Sequence, residues 1–438
     1  MTRLALGTGS LTLMVAVIQP SPAAHTRGPF QEREMDRIAP AYVKLALAMG
    51  LHDPDYVDAY YGPPEWKREV ESAKPPLERI AADASALLIE LQGVPANGDE
   101  LRGLRREYLH KQLGSLVART RMLKGERLSF DDESKALYDV VAPTHPDSYF
   151  QAILAKLEPR FPGEGTLLER YERWRTPFVI PREKLAAVFQ TAIKDCRART
   201  AARMKLPAAE SFTVEYVTNK SWSGYNWYQG QYRSLIQVNT DLPVYIDRAI
   251  DLACHEGYPG HHVYNALLEQ HLVRDRGWLE FTVYPLFSPQ SLIAEGTANY
   301  GIEVAFPGRE RVDYERSVLF PAAGLDPARA AEYYEVQGLV EELSYAGNEA
   351  ARRYLNGGID QTAAARWLEQ FALMSPDRAK QRVKFFDQYR SYVINYNFGK
   401  DLVERYVESR GGTADNPNTR WEEFGRLLSS PRLPSGLR

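Results

Sequence analysis

The 438-residue sequence has little of several features that would point to other classes of protein. It has two cysteines, Cys196 and Cys254, which are too few for a disulfide framework. Lysine and arginine number 54 against 57 acidic residues, so no basic excess points to nucleic acid. The sequence contains no internal repeat, no glycine-rich phosphate loop and no Ser-His-Asp arrangement. What remains is a large globular protein of nearly balanced charge.

Long apolar runs are also missing, and the sequence offers no stable membrane span. A short apolar stretch, Leu11 to Ile18, follows Arg3 and precedes the small residues before Ala23. This pattern is typical of a secretory signal cleaved after Ala23, although a disordered N-terminus with a fortuitous apolar patch is the alternative. No cysteine follows the stretch, so no lipid anchor is predicted. We therefore predict a secreted or periplasmic protein with a signal peptide at 1–23.

The spacing of apolar residues beyond the signal predicts a mainly α protein. Residues 24–438 are expected to form one helical domain, with two lobes around a cleft. The end of the chain, from Gly411, is polar and is expected to be partly loose. Helical segments are predicted at 36–49, 77–91, 101–123, 129–141, 181–204, 328–355, 362–374 and 376–396, and others begin near Thr166, Pro243 and Pro289.

A small β-sheet is predicted at about 212–240, just before the histidine-rich part of the chain. Polar and apolar residues alternate from Phe212 to Tyr216, and Ser234–Thr240 is a second strand candidate. Between them lies an aromatic stretch, with Gly224 and Gly230 as expected bends. An exposed edge of this sheet would hold an extended peptide by main-chain hydrogen bonds. The alternative is that the aromatic residues only pack the sheet against helices.

The chemistry of the chain is concentrated in His255-Glu256-Gly257-Tyr258-Pro259-Gly260-His261-His262, which contains three of the eight histidines. Neutral imidazoles with a carboxylate are the donors that a hydrolytic zinc site requires. The spacing departs from H-E-x-x-H, whose histidines lie four apart on one helical face. Six residues along an unbroken helix span about 9 Å, too far for two nitrogens about 2.1 Å from one metal. Pro259-Gly260 predicts that the helix is interrupted there.

With that dipeptide removed, the stretch corresponds to H-E-x-x-H, and we expect His255 and His261 to bind a zinc ion. The third ligand is expected to be Glu295, on a separate helix. Glu256 is the candidate general base, and Asn299, one turn beyond Glu295, is a candidate to orient a ligand.

Alternatives to this assignment stay open. If three residues rather than two are looped out, His262 aligns in place of His261. Glu303 is the rival of Glu295. Histidines clustered on a helix are also found as surface or capping residues. Cys254 is adjacent to His255 and invites thiolate ligation, but a buried apolar cysteine fits its position on the helix better.

The two motifs HEGYPGHH and EGTANYGIE resemble a widespread bacterial family long catalogued as a domain of unknown function. Its pattern is H-E-x-x-P-G-H-x-x-Q followed by E-G-W-A-x-Y-x-E, and the family is grouped with the gluzincin metallopeptidases. The resemblance implies a helical, cleft-bearing gluzincin-like fold with His255, His261 and Glu295 as zinc ligands and Glu256 as general base. Departures are Tyr264 for Gln, Thr297 for Trp, and a second-motif glutamate, Glu303, shifted by one.

These observations predict an exported zinc peptidase that acts on short peptides, with exopeptidase action implied by analogy with the family. The oxyanion should need a hydrogen-bond donor, for which Tyr396 is the first candidate, followed by Tyr392 and Arg390. Two other hypotheses are kept. One is a zinc hydrolase of a different amide or an ester, and the other is an inactive, metal-stabilised peptide-binding protein of the envelope.

Overall fold

The structure, a computed structural model, describes residues 30–95 and 99–437. The predicted signal peptide at 1–23 lies outside the described residues. The fold is mainly α, as predicted. Its α-helices are α1 (Phe30–Met49), α2 (Pro64–Ala73), α3 (Leu77–Gln92), α4 (Glu100–Leu123), α5 (Phe130–Tyr138), α6 (Asp147–Leu157), α7 (Leu167–Arg175), α8 (Leu185–Ala201), α9 (Asp247–Leu252), α10 (His261–Leu268), α11 (Pro289–Ala305), α12 (Arg309–Tyr314), α13 (Phe320–Ala323), α14 (Ala330–Glu341), α15 (Ala346–Leu355), α16 (Gln361–Phe371), α17 (Pro376–Tyr389), α18 (Ile394–Ser409) and α19 (Pro417–Leu428).

Two small sheets accompany the helices. β1 (Val57–Tyr60) pairs antiparallel with β5 (Val283–Pro285). The second sheet consists of β2 (Ser211–Val217), β3 (Gly224–Gly230) and β4 (Arg233–Asn239), in the order β2-β4-β3. β2 runs parallel to β4, and β3 runs antiparallel to it. The predicted sheet is therefore present, and the aromatic stretch, which we expected to join two strands, is itself a strand.

Side-chain caps start two of the predicted helices. The Ser129 hydroxyl accepts a hydrogen bond from the Asp132 amide at the start of α5. Thr166 and Glu169 form a reciprocal capping box at α7. Such caps satisfy amides that the first turn leaves unbonded, which is why sequence locates these starts well.

One predicted helix end near the C-terminus is wrong. The helix predicted to continue through Tyr396 ends at Tyr389, because Arg390 has a φ of 53° and interrupts it. A short 3-10 segment follows, and α18 then begins at Ile394. The region after Gly411, expected to be partly loose, begins with a turn at 411–416 and then forms α19, whose Phe424 and Leu427 are fully buried. Burial against the rest of the protein stabilises this helix in spite of its polar composition.

Helix α11 runs through the centre of the protein. Ile293 and Tyr300 are fully buried on it, as are most of its other side chains. It packs closely on α18, since a Cβ added to Gly296 would lie 2.5 Å from the Gly399 carbonyl. A side chain at this position would collide with the Gly399 backbone, so the close packing of the two helices requires glycine here. Any charged group on α11, such as Glu295, must find a partner because water is largely excluded.

Cys196 of α8 and Cys254 form a disulfide bond, a pairing that the sequence left open. The bond joins α8 to the residue directly before His255. Thiolate ligation by Cys254 is thereby excluded. No helix within residues 30–95 and 99–437 is long and apolar enough to cross a membrane.

Candidate metal centre

The histidine motif folds as an interrupted helix, as its Pro-Gly dipeptide predicted. Helix α9 continues into a single π-helical turn, Ala253–Gly257, which carries His255 and Glu256. The chain then leaves helical geometry at Tyr258, and α10 begins at His261. The extra residues between the two histidines, Pro259 and Gly260, lie in the non-helical bend between the π-helical turn and α10. A continuous helix would have placed the two rings too far apart for one ion.

Gly260 makes this non-helical bend sterically feasible. Its amide donates to the Cys254 carbonyl at 2.9 Å, and a Cβ at this position would lie 1.9 Å from the His255 carbonyl oxygen. No side chain fits at such a distance, because contacts shorter than 3.0 Å force atoms to move. Glycine at this position is therefore part of the geometry that brings the two histidines together.

The three predicted ligand residues meet at one point. His255 Nε2 lies 3.1 Å from His261 Nε2, and Glu295 Oε2 lies 3.3 Å from His255 Nε2 and 3.7 Å from His261 Nε2. The ligand atoms of these three side chains all lie within 4.8 Å of one another, close enough to bind one ion. No other group of at least three His, Cys, Asp or Glu side chains among the described residues meets this condition. Two imidazoles and one carboxylate are a donor set that suits catalytic zinc.

The carboxylate of Glu295 shows how well the residues present fit a cation. Tyr392 donates its hydroxyl to Oε1 at 2.7 Å. Oε2 is buried and has no hydrogen-bond partner among the described residues, and it faces the two histidines. A buried, unsatisfied carboxylate oxygen is costly unless a cation or donor meets it. A zinc ion between the three side chains would satisfy it.

The electrostatics of this cluster are those of a site that attracts positive charge. Burial alone would raise the pKa of Glu295, but His261 and His255 hold it well below its usual range. Burial alone would lower the pKa of His261, but the Glu295 carboxylate raises it to about 9. In the absence of a metal, a proton on His261 thus supplies part of the positive charge that a bound cation would bring.

Asn299 sets the tautomer of His255, as its position one turn beyond Glu295 suggested. Its side-chain amide donates to the Tyr396 carbonyl at 2.9 Å, so its oxygen faces His255. His255 Nδ1 donates to that oxygen at 3.0 Å. Since Nδ1 holds the hydrogen, the lone pair of the neutral ring is on Nε2 and faces the cluster.

The two rivals of the predicted ligands are engaged elsewhere. His262 is fully buried, and its Nε2 donates to Glu210 Oε2 at 3.0 Å while Ser234 donates to its Nδ1 at 2.9 Å. Glu303 forms an ion pair with Lys400. The geometry therefore favours His261 over His262 and Glu295 over Glu303.

Glu256 is next to the cluster and has a free carboxylate. Its backbone is held by Asn226, whose side-chain amide donates to the Glu256 carbonyl at 2.7 Å. Its own carboxylate makes no hydrogen bond within the described part of the chain, and burial raises its pKa against the opposing effect of His255. Gly224 leaves room for this side chain, because a Cβ there would lie 2.8 Å from Glu256 Oε1. Gly224 is thus the first residue of β3 and not the expected bend.

The site opens into a cavity of about 1070 Å³ that His255, Glu256, Glu295 and Tyr396 help to line. Of the three candidate oxyanion donors, Tyr396 has a hydroxyl with no hydrogen bond to any described residue. Tyr392 is occupied by Glu295. Arg390 donates to Glu133 Oε2 at 2.6 Å and does not line the cavity. Tyr396 therefore stays the first candidate, and its role as oxyanion donor remains a prediction.

Sequence reasoning missed several residues of the cavity. Asp58 of β1 accepts a hydrogen bond from the Tyr225 hydroxyl, and burial raises its pKa to about 7. Arg382 of α17 also lines the cavity. No local motif surrounds either residue, and each reaches the site only because distant elements pack together. The aromatic composition around Tyr225 was the one available signal.

No protein-family model and no curated protein matches the sequence. Among solved structures, a presumed lipoprotein from Colwellia psychrerythraea is similar with a TM-score of 0.48 and 16% identity, over 82% of this chain and 68% of that one. A protein named BsuCP is similar with a TM-score of 0.41 and 10% identity, over 91% of this chain and 89% of that one. Likenesses this distant do not establish a function.

Proposed function

We propose that this protein is an exported zinc-dependent peptidase of the gluzincin type that hydrolyses short peptides. The observation that carries the proposal is the convergence of His255 Nε2, His261 Nε2 and Glu295 Oε2 beside a buried glutamate with a free carboxylate. The family resemblance of the two motifs supports it independently of the geometry.

Zinc suits the residues present, because two neutral nitrogen donors and one carboxylate are its common catalytic ligands. Bound there, it would polarise the scissile carbonyl and lower the pKa of water toward neutrality. Asn299 and Tyr392 hold the ligands His255 and Glu295 in place. This support reduces the reorganisation that binding would otherwise need.

The chain's own groups supply the proton transfers. Glu256 in its ionised form accepts the proton of the attacking water and can deliver it to the leaving amine. Because burial raises its pKa, the carboxylate is a stronger base than an exposed glutamate. The Tyr396 hydroxyl lines the cavity and would donate a hydrogen bond to the oxyanion as negative charge develops.

The size of the cavity supports a short peptide as substrate, since pockets of about 300–1,000 Å³ accommodate small ligands. The cavity also includes Gly224 and Tyr225 of β3, an edge strand of the three-stranded sheet. Main-chain hydrogen bonds to such an edge would align an extended peptide.

The test begins with zinc content, measured on the purified protein by elemental analysis. We expect close to one zinc per chain and hydrolysis of a panel of short peptides, abolished by a chelator and restored by zinc. Glu256→Gln should reduce kcat by roughly 100- to 10,000-fold with zinc retained, the range for a general base. Glu303→Gln is the matched control, because it removes a cavity carboxylate that is paired with Lys400.

A protein that binds no zinc, or whose peptide hydrolysis ignores the chelator, contradicts the proposal. Hydrolysis confined to esters or non-peptide amides would favour the alternative zinc hydrolase. Peptide binding without turnover, unchanged in Glu256→Gln, would favour the binding protein.

A further inference from the structure

Five cationic side chains line the cavity, and most are neutralised by the protein itself. Arg248 and Arg311 both pair with Asp251, at 3.1 and 2.7 Å. Lys400 pairs with Glu341 at 2.6 Å. These three therefore have little charge to offer a ligand.

The two remaining cations, Arg378 and Arg382, are one turn apart on α17. Arg378 donates to the Pro243 carbonyl at 3.0 Å. Arg382 makes no ion pair and no hydrogen bond to any residue that the structure describes, and its Nε is buried without a partner. A buried guanidinium nitrogen with no acceptor is unusual, because leaving a charged donor unsatisfied costs more than for a neutral group.

The position of Arg382 relates it to the reaction site. Its Cζ lies 5.6 Å from the centroid of the Tyr396 ring and 4.8 Å from that of Phe385. Phe385 and Tyr396 are themselves neighbours, with ring centroids 6.2 Å apart. The guanidinium therefore lies against the rings of Phe385 and Tyr396, directly beside the proposed oxyanion donor. Burial lowers the pKa of Arg382, but a guanidinium stays charged near neutral pH.

We propose that Arg382 binds a carboxylate of the peptide substrate, namely its free C-terminus, and so directs cleavage to the C-terminal end. The inference rests on the proposed peptidase function. The planar guanidinium matches a carboxylate with two parallel hydrogen bonds, and the aromatic rings restrict its orientation. The paired cations of the cavity would compete less well, because each already forms an ion pair with Asp251 or Glu341.

The experiment compares Ala-Ala-Phe with its C-terminal amide as substrates. The wild-type enzyme should prefer the free acid in kcat/KM by roughly 10- to 150-fold, the range for hydrogen bonds to charged groups. Arg382→Met should lose most of this preference by slowing only the acid, with zinc content unchanged. Arg382→Lys should restore part of this preference, because lysine returns the positive charge without the two parallel N–H donors of a guanidinium. Lys384→Met, which removes an exposed charge from the same helix, should behave as wild type.

A third arm identifies the source of the carboxylate. Ala-Ala-Glu amide and Ala-Ala-Gln amide differ only in a side-chain charge. Suppose that Arg382→Met abolishes the preference for the Glu amide over the Gln amide and leaves the preference for the free acid over its amide unchanged. In that case Arg382 binds an acidic side chain, and the C-terminal assignment is overturned. If Arg382→Met slows all four peptides equally, the carboxylate anchor itself is overturned.

Binding measurements separate this inference from the proposed function. Zinc-loaded Glu256→Gln protein is titrated with Ala-Ala-Phe and with its amide in a calorimeter. If wild-type protein cleaves no peptide but the titration shows a preference for the acid that Arg382→Met removes, the anchor stands and the peptidase proposal fails. If peptides are cleaved without any acid preference, the reverse holds.

Discussion

The cavity has two walls of opposite character. One, formed by the π-helical turn, α10 and α11, carries His255, His261 and Glu295, and additional residues orient two of these side chains. The other, formed by α17 and α18, presents the Arg382 guanidinium and the Tyr396 hydroxyl, neither of which has a hydrogen-bond partner among the described residues. Prearranged groups suit an ion that stays bound, whereas unpaired groups suit a ligand that comes and goes. Substitutions in the first wall should therefore lower zinc affinity, and substitutions in the second wall should lower kcat.

The largest expected effect on zinc affinity comes from the adjacent histidines of the first wall. His261→Ala should weaken zinc binding roughly 60- to 700-fold, if one ligand supplies about a quarter of the 10–16 kcal/mol of a structural site. His262→Ala should keep the zinc and lose about 1–3 kcal/mol of stability, because Glu210 loses one of its buried hydrogen-bond donors. Zinc competition with a chromophoric chelator and thermal unfolding measure the two outcomes. Zinc loss in His262→Ala alone would reverse the ligand assignment.

The second wall is tested by its tyrosine. Tyr396→Phe should lower kcat roughly 100- to 1,000-fold without changing zinc content, because it removes one oxyanion donor. Tyr392 lies in the 3-10 segment directly before α18. Tyr392→Phe should instead weaken zinc binding about tenfold or more, since Glu295 loses the hydrogen bond that orients its carboxylate. Steady-state kinetics beside zinc titration distinguish the two. If both substitutions changed only zinc affinity, the two walls would not have separate roles.

The first wall should also respond to pH. In the metal-free protein the pKa of His261 is raised from 6.5 to about 9, so the stability contributed by its charge is present below pH 6.5 and lost as the pH rises to 9. Zinc needs the same nitrogen without its proton, so zinc affinity should rise over that window by roughly tenfold per pH unit. Isothermal titration between pH 6.5 and 9 checks the slope. A flat profile would show that no proton leaves His261.

The smallest expected effect concerns the residue that orients His255. Asn299→Ala should weaken zinc binding about 10- to 100-fold, because the His255 tautomer is no longer enforced. Asn299→Asp can still accept from Nδ1 and should retain most of the affinity, although it can no longer donate to the Tyr396 carbonyl. Competition titration of both variants tests this. Equal affinities of Asn299→Ala and wild type would assign Asn299 a purely structural role.

The sequence alone indicated much of the fold and of the site. Helix starts such as Thr166 and the break at Pro259-Gly260 depend on interactions within a few residues, so local rules suffice. Helix ends were less predictable, as the positive φ of Arg390 shows, because packing of α18 against α11 determines the chain direction there. The strand nature of 224–230 was missed, since pairing with β4 stabilises it.

The sequence by itself determined which residue types were available for metal chemistry, and that the helix had to bend between His255 and the next histidines. Only the tertiary structure distinguished His261 from His262, because Glu210, some fifty residues away, binds one ring and leaves the other free. It likewise decided that Cys196 pairs with Cys254 and that Arg382 Nε has no hydrogen-bond partner among the described residues. Spacing along a chain determines which side chains share a face of their own helix. Which groups lie opposite that face depends on elements that meet only after folding.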